Sequence, residues 1–353
     1  MSPNAGSGVD FLPLRDMIDL SGKMILVTGG NPHYLDLNLS SLMMHLGTGG
    51  LGKAVIIGLL MKHPSKIYVT ARNPPKFQHL IEEISLEHPT VKANSILHLL
   101  TCDLTDLKTV QAAAHEVIVS PNPKLDIIIG AAGVMFTTPS VTKDGYEIQF
   151  GTNHMSHALL IKLLLPLLLQ SPDPRIVLFT SGAFGLHPSG GILFESLHTT
   201  QEKEIRLATR WQLYGQSKLA NLLYAAELAR KHPSVTSVSV HPGAVYTGGF
   251  ASLGWKDRWI LTAMSWRSFI TPEEGSWNAL WCISAHLWKN QKKMFDEKAG
   301  ENEDERVKGK GFVVNGAFYE PVGVPGKHMR MSADDELARK LWEWTEKELE
   351  DFN

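Results

Sequence analysis

Short apolar runs alternate with helical stretches along nearly the whole chain, and that alternation limits the fold more than any other feature. Lys23–Gly30 (KMILVTGG) is an apolar run that breaks at Thr-Gly-Gly. Lys66–Ala71, Ile96–Leu104, Leu125–Ile129, Arg175–Thr180 and Thr236–His241 repeat the pattern, and Phe312–Tyr319 contains a last instance. Continuous apolar runs of this length predict strands buried on both faces, as in a parallel sheet. Helical patterns follow at Thr48–Leu60, Pro75–Glu87, Asp106–Val119, Gly145–Gln170, Trp211–Lys231, Pro272–Ser284 and Ala333–Phe352. Asp106 opens its helix as a cap, and Thr-Pro-Glu-Glu opens the helix at Pro272. The alternation predicts an α/β fold: a doubly wound parallel sheet of about seven strands with helices on both faces.

Composition removes other classes. With 43% apolar and 20% charged residues, the chain is too apolar for disorder. Thirty-four Lys and Arg against 36 Asp and Glu, with no dominant basic block, leave no footprint for nucleic acid. Two cysteines, Cys102 and Cys282, cannot build a disulfide framework and suit reduced thiols in the cytoplasm. The opening MSPNAGSG lacks the layout of a signal peptide. The most apolar run, Ala158–Leu169, has 12 residues and carries Lys162 and Pro166. It falls short of the ~20 that cross a bilayer and predicts a buried helix. Trp259–Trp266 suits either a membrane surface or a lid over an apolar substrate. All nine tryptophans lie at or after Trp211, which fits ordinary packing or an aromatic substrate pocket. His154, His157 and His241 lack ligand spacing and predict no metal site.

Tyr214-Gly215-Gln216-Ser217-Lys218 carries the chemistry. Residues four apart share one helix face. A cation about 4 Å from a phenol is worth ~4 kcal/mol at an effective dielectric near 20, about three pKa units. That would bring the phenol near 7, where a general acid or base works best. Thr28-Gly29-Gly30 ends the first strand, and Gly49-Gly50-Leu51-Gly52 opens the first helix. Glycines at such a junction let backbone approach a pyrophosphate at a helix N-terminus. Ser181 follows the fifth strand, and His241-Pro242-Gly243 with Thr247 follows the sixth. After the second strand stands Arg72, with no acidic residue until Glu82. A guanidinium there suits a ribose 2′-phosphate, so the expected cofactor is NADP(H).

With these motifs in order, the chain resembles the short-chain dehydrogenase/reductase family, classical type, near its retinol-dehydrogenase-like and fungal carbonyl-reductase branches. The resemblance covers roughly Lys23–Val322, with Asp144–His157 (DGYEIQFGTNHMSH) its longest specific match. It implies a Rossmann-type fold and a catalytic set of Asn153, Ser181, Tyr214 and Lys218. Tyr214 would move the proton, Ser181 orient the carbonyl, Lys218 tune the phenol and hold the ribose, and Asn153 position a relay water. Cofactor contacts implied are Thr28, Gly29, Gly30, Gly50, Leu51, Gly52, Arg72, Asp103, Leu104, Ala132, Gly133, Lys162, Pro242, Val245 and Thr247, besides Tyr214 and Lys218. The partner implied is a small carbonyl or alcohol substrate, in the fungal branch from secondary metabolism, and the family allows a homodimer.

The organisation expected is an N-terminal extension (1–22), one catalytic domain (23–330) with a substrate lid (243–270), and a C-terminal helix (331–353). Two departures stand out. Removing the 17 residues Pro32–Thr48 restores T-G-x-x-x-G-x-G. Seventeen whole codons fit a retained intron or misplaced splice site, and a real loop over the cofactor is the rival. Gly130-Ala131-Ala132-Gly133 stands where the family has Asn-Asn-Ala-Gly, so Ala131 lacks an amide that pins the central strand. Thirty-three positions separate Ser181 from Tyr214, which places Gly185–Arg210 beside the substrate mouth. Two other functions share these motifs: a non-catalytic binding protein on the same fold, and an epimerase or dehydratase of the extended branch.

Overall fold

The structure, a computed structural model, describes residues 8–29, 50–245, 269–288 and 311–352, together with Trp259. The strands are β1 (Met24–Thr28), β2 (Lys66–Ala71), β3 (Leu97–Thr101), β4 (Ile127–Gly130), β5 (Arg175–Phe179), β6 (Thr236–Val240), β7 (Ala244–Val245), β8 (Phe269–Ile270) and β9 (Phe318–Tyr319). Seven of them form one sheet in the order β3-β2-β1-β4-β5-β6-β9, with every pairing parallel. β7 and β8 pair separately. The expected seven-stranded, doubly wound sheet is therefore present. Register puts Thr28 opposite both Thr70 and Gly130, so β1, β2 and β4 end level with one another. Strand order reverses between β1 and β4, and ligands bind at that edge of open parallel sheets.

Seven helices of ten residues or more accompany the described strands: α1 (Leu51–Leu60), α2 (Pro74–Glu87), α3 (Leu107–Ile118), α4 (Ser156–Leu168), α5 (Thr209–Lys231), α6 (Pro272–Ser284) and α7 (Asp335–Glu348). One face of the sheet buries Leu26, Ile128 and Leu178 under α3, α4, α5 and α7. The other buries Ile25, Val27 and Ile129 under α1, α2 and α6, joined by Phe11, Met17 and Leu20. Among the described residues no helix is long and apolar enough to cross a membrane.

Capping residues set the helix starts as read. Asp106 accepts from Lys108 N at 3.1 Å to open α3. Thr271 Oγ1 accepts from Glu274 N at 3.1 Å while Glu274 accepts from Thr271 N at 3.0 Å, a reciprocal box at α6. The single helix expected over Gly145–Gln170 is instead interrupted. Glu147 caps a turn at Ile148–Phe150, residues Gly151–Met155 are π-helical, and α4 begins at Ser156.

Candidate active site

A cleft of about 380 Å³ opens where β1, β2 and β4 end. Gly29 leaves β1 with φ +84°, and a Cβ there would lie 2.8 Å from Ala132 Cα. Only glycine fits that approach without strain. Gly50, Leu51 and Gly52 meet Gly29 across the cleft, although the stretch from Gly30 to Gly49 separates them in sequence. Gly50 is the N-cap of α1, with no side-chain cap and no acid in the first turn. Such an end presents unpaired N–H groups and favours an anion. Lys53, buried, braces α1 against α2 through Glu83 at 3.1 Å and Glu87 at 3.2 Å.

Arg72, Asp103, Leu104, Ala132, Gly133, Tyr214, Lys218 and Pro242 line the same cleft. Lys76 lines it beside Arg72. Sequence reading passed over it, although the signal was present. Asn73 caps α2 by accepting from Lys76 N at 3.1 Å, which fixes Lys76 in the first turn after β2.

Tyr214 and Lys218 stand one turn apart on α5. Between them Gly215 has no room for a side chain: its Cβ would sit 2.7 Å from Ala183 O. This contact seats α5 directly on the turn after β5 and brings the Ser181 hydroxyl to the phenol. Ser181 also accepts from Ala183 N at 3.2 Å. Lys218 Nζ donates to Phe179 O at 3.0 Å and lies 5.7 Å from the Tyr214 ring centroid. The expected tuning of the phenol to near 7 does not hold in this arrangement. Burial pushes Tyr214 up to about 12, partly offset by Ser181. Burial also pulls Lys218 down to about 8. Desolvation outweighs a cation at this distance.

Asn153 sits fully buried in the π-helical turn, and its side chain is spent on protein. Oδ1 accepts from Val134 N at 2.7 Å, and Nδ2 donates to Val134 O and to Ser217 Oγ, both at 2.9 Å. π turns of this kind recur at functional sites. Its main-chain carbonyl accepts from His157 Nδ1 at 3.0 Å.

Other expected residues lie off the cleft wall. Thr28 is buried beneath Gly29 and accepts from Ala132 N at 3.0 Å. Val245 stands at the rim: a Cβ on Gly275 would touch both Val245 and Leu51. Lys162 is a correction. Its Nζ donates to Leu349 O at 2.9 Å and lies 3.6 Å from Glu346, against the C-terminal segment rather than the cofactor cleft. Gly30, Thr247, the insertion Pro32–Thr48 and most of the lid at 243–270 fall outside the described residues.

Phe136 carries no motif, and Gln149, although inside the matched segment Asp144–His157, is not marked out by its residue type. Phe136 has φ +51°, an outlying conformation for a bulky residue. Gln149 holds it there, accepting from Phe136 N at 2.8 Å and donating to Arg210 O at 3.1 Å. The Phe136 ring stacks on Trp211 at 4.1 Å and meets Tyr214 edge-on at 5.0 Å. Trp281, Trp342 and Trp344 instead pack into or against the two cores.

The family model described as short chain dehydrogenase matches residues 46–193, starting inside the stretch that interrupts the glycine turn. A short-chain dehydrogenase/reductase of Phomopsis amygdali is 33% identical over 263 residues, covering 71% of this chain and 70% of that protein. Retinol dehydrogenase 11 of Mus musculus is 32% identical over 273 residues, covering 75% and 74%. The solved structure of an NADPH-bound carbonyl reductase from chicken fatty liver shares the fold, with a TM-score of 0.53 at 19% identity over 88% of this chain and 100% of that one. The parallel sheet, the glycine cleft and these relatives agree: the chain belongs to the short-chain dehydrogenase/reductase family of oxidoreductases.

Proposed function

We propose that the protein is an NADP(H)-dependent carbonyl reductase acting on a fairly large apolar substrate. The observation that carries this reading is the convergence of Tyr214, Ser181 and Lys218 at one end of a cleft whose other walls are Gly29, the open end of α1, and Arg72 with Lys76. The cleft suits a dinucleotide on its own geometry. A Cβ at Gly133 would come 2.9 Å from Asn153 Oδ1 and 3.4 Å from Lys218 Nζ, so backbone there is kept bare. The α1 N-terminus would hold the pyrophosphate. Arg72 and Lys76 would hold a 2′-phosphate, Asp103 the adenine end, and Lys218 the nicotinamide ribose. NADPH, when bound, supplies the hydride.

The protein's own part is orientation and one proton. Ser181 would hold the substrate carbonyl beside the phenol. With its pKa raised, Tyr214 keeps its proton at neutral pH and is set to donate it to the developing alkoxide. This supports the direction of reduction. Lys218 would then offset the charge left on the phenolate. Phe136 and Trp211, one turn before Tyr214, supply an apolar wall for the substrate's body.

A panel of aromatic and aliphatic ketones and aldehydes, followed by loss of NADPH absorbance, tests the reading. Tyr214→Phe should lower kcat at least ~1000-fold and leave NADPH affinity within about threefold, since only the proton donor is lost. Normal turnover by Tyr214→Phe would sink the assignment.

A further inference from the structure

We infer that His157 is a positioning residue whose neutral imidazole, protonated on Nδ1, carries a hydrogen-bond chain from the loop after β4 to the turn that holds Asn153. His157 lies in the first turn of α4 and is 2% exposed. Its Nδ1 faces Asn153 O at 3.0 Å. A carbonyl oxygen only accepts, so Nδ1 bears the proton. Its Nε2 faces Thr28 Oγ1 at 2.8 Å. In the neutral ring that nitrogen accepts, so the Thr28 hydroxyl donates to it. The same hydroxyl oxygen accepts from Ala132 N at 3.0 Å. The chain then has one sense throughout: Ala132 N–H to Thr28, Thr28 O–H to His157, His157 Nδ1–H to Asn153 C=O.

The surroundings enforce that state. The charge facing the ring is the Lys218 ammonium, and burial together with that cation holds the imidazole down to about 4. A proton on Nε2 would also leave the Thr28 hydrogen without an acceptor in this chain. The ring has little freedom to move away, because even a Cβ on Gly130 would come within 2.9 Å of its Cδ2.

The consequence bears on Ala131, which lacks the amide expected to pin the central strand. His157 supplies a tie from the opposite side. Ala132 and Gly133 form one wall of the cleft, and Asn153 supports Val134 on another. His157 fixes the two in relation to each other, although it does not line the cleft.

Two measurements test this, the first without any cofactor. Long-range nitrogen–proton NMR at pH 7, with the His157 signal identified by its loss in His157→Gln, should show the Nδ1–H tautomer. An Nε2–H tautomer or an imidazolium would overturn the inference. The second compares polar with apolar replacements. His157→Leu and Thr28→Val should weaken NADPH binding about tenfold, the cost of roughly one buried hydrogen bond. His157→Gln and Thr28→Ser should stay within about threefold. A ring that only fills space gives the reverse order, with Leu tolerated and Gln harmful, and that result would overturn the inference. Melting temperatures of the four variants should follow the same order without NADPH. A protein that binds no NADPH would defeat the proposed function while the tautomer and melting order still decide this one.

Discussion

Lys218 keeps an ammonium group on a side chain 5% exposed, donating to Phe179 O. Its pKa of about 8 lies below the ordinary 10.5, so between those values the unfolded chain binds more protons and stability rises with pH. Below about 8 the cost of burying the charge is fully present. Lys218→Met should therefore be more stable than the wild type at pH 7, by roughly 2–3 kcal/mol. The gap should close as pH rises from 8 toward 10.5. Urea unfolding at pH 7 and pH 9.5 measures both, and a less stable variant at pH 7 would contradict the account. The same reading explains why Tyr-x-x-x-Lys was legible as a pair but its electrostatics were not. Spacing fixes which helix face two residues share, whereas desolvation depends on everything packed around them. Arg72 stands at the cleft because β2 ends at the residue before it. Arg72→Asp should weaken NADPH roughly ten- to hundredfold relative to NADH, through loss of a charge-assisted bond and gain of a repelling one. A wild type that already prefers NADH would refute this.

The elements written most plainly in the sequence are those whose signals are local. β1, β4 and β5 are apolar on both faces and need no partner to be recognised. The ends of α3 and α6 follow from Asp106 and Thr271, each acting within four residues. The π-helical turn at Gly151–Met155 was not legible. It accompanies an Asn153 amide that bonds Val134, 19 residues before it, and Ser217, 64 residues after it. Lys162 was misplaced for the same reason, since its partner Leu349 lies 187 residues away. α7 shows how much such long-range contacts carry. It buries Leu337, Ala338 and Leu341, stacks Trp342 on Tyr224 at 5.1 Å, and gives Thr345 to His154 at 3.0 Å. Glu348 accepts from Tyr146 at 2.9 Å. Each buried large apolar side chain contributes ~1.5–3 kcal/mol. Ending the chain at Ala333 should remove more than about 5 kcal/mol, comparable to a whole domain's stability. The truncated protein should lack a cooperative melt by circular dichroism; an unchanged melting curve would refute the estimate.

At the scale of the molecule, the glycine turn is split in sequence yet closed in space. β1 ends at Thr28 and α1 starts at Leu51 as in an uninterrupted crossover, and Gly29 meets Gly50–Gly52 at one cleft. Lengthening a connection costs little, because loop entropy grows only with the logarithm of length, on the order of 1–2 kcal/mol here. The fold therefore tolerates the extra residues, and placement of the phosphate-facing N–H groups is what they put at risk. A variant lacking Pro32–Thr48 should bind NADPH at least about tenfold more tightly, measured by fluorescence titration. Equal affinity would mark the segment as a tolerated excursion. The order of elements along the chain has a further meaning for refolding. His154, the neighbour of Asn153, meets Thr345 of α7 from 191 residues away, whereas α5 and the turn after β5 lie close in sequence. Contacts of such separation close the longest loops and form slowly. Refolding should therefore assemble the turn beside Tyr214 before the wall behind Asn153.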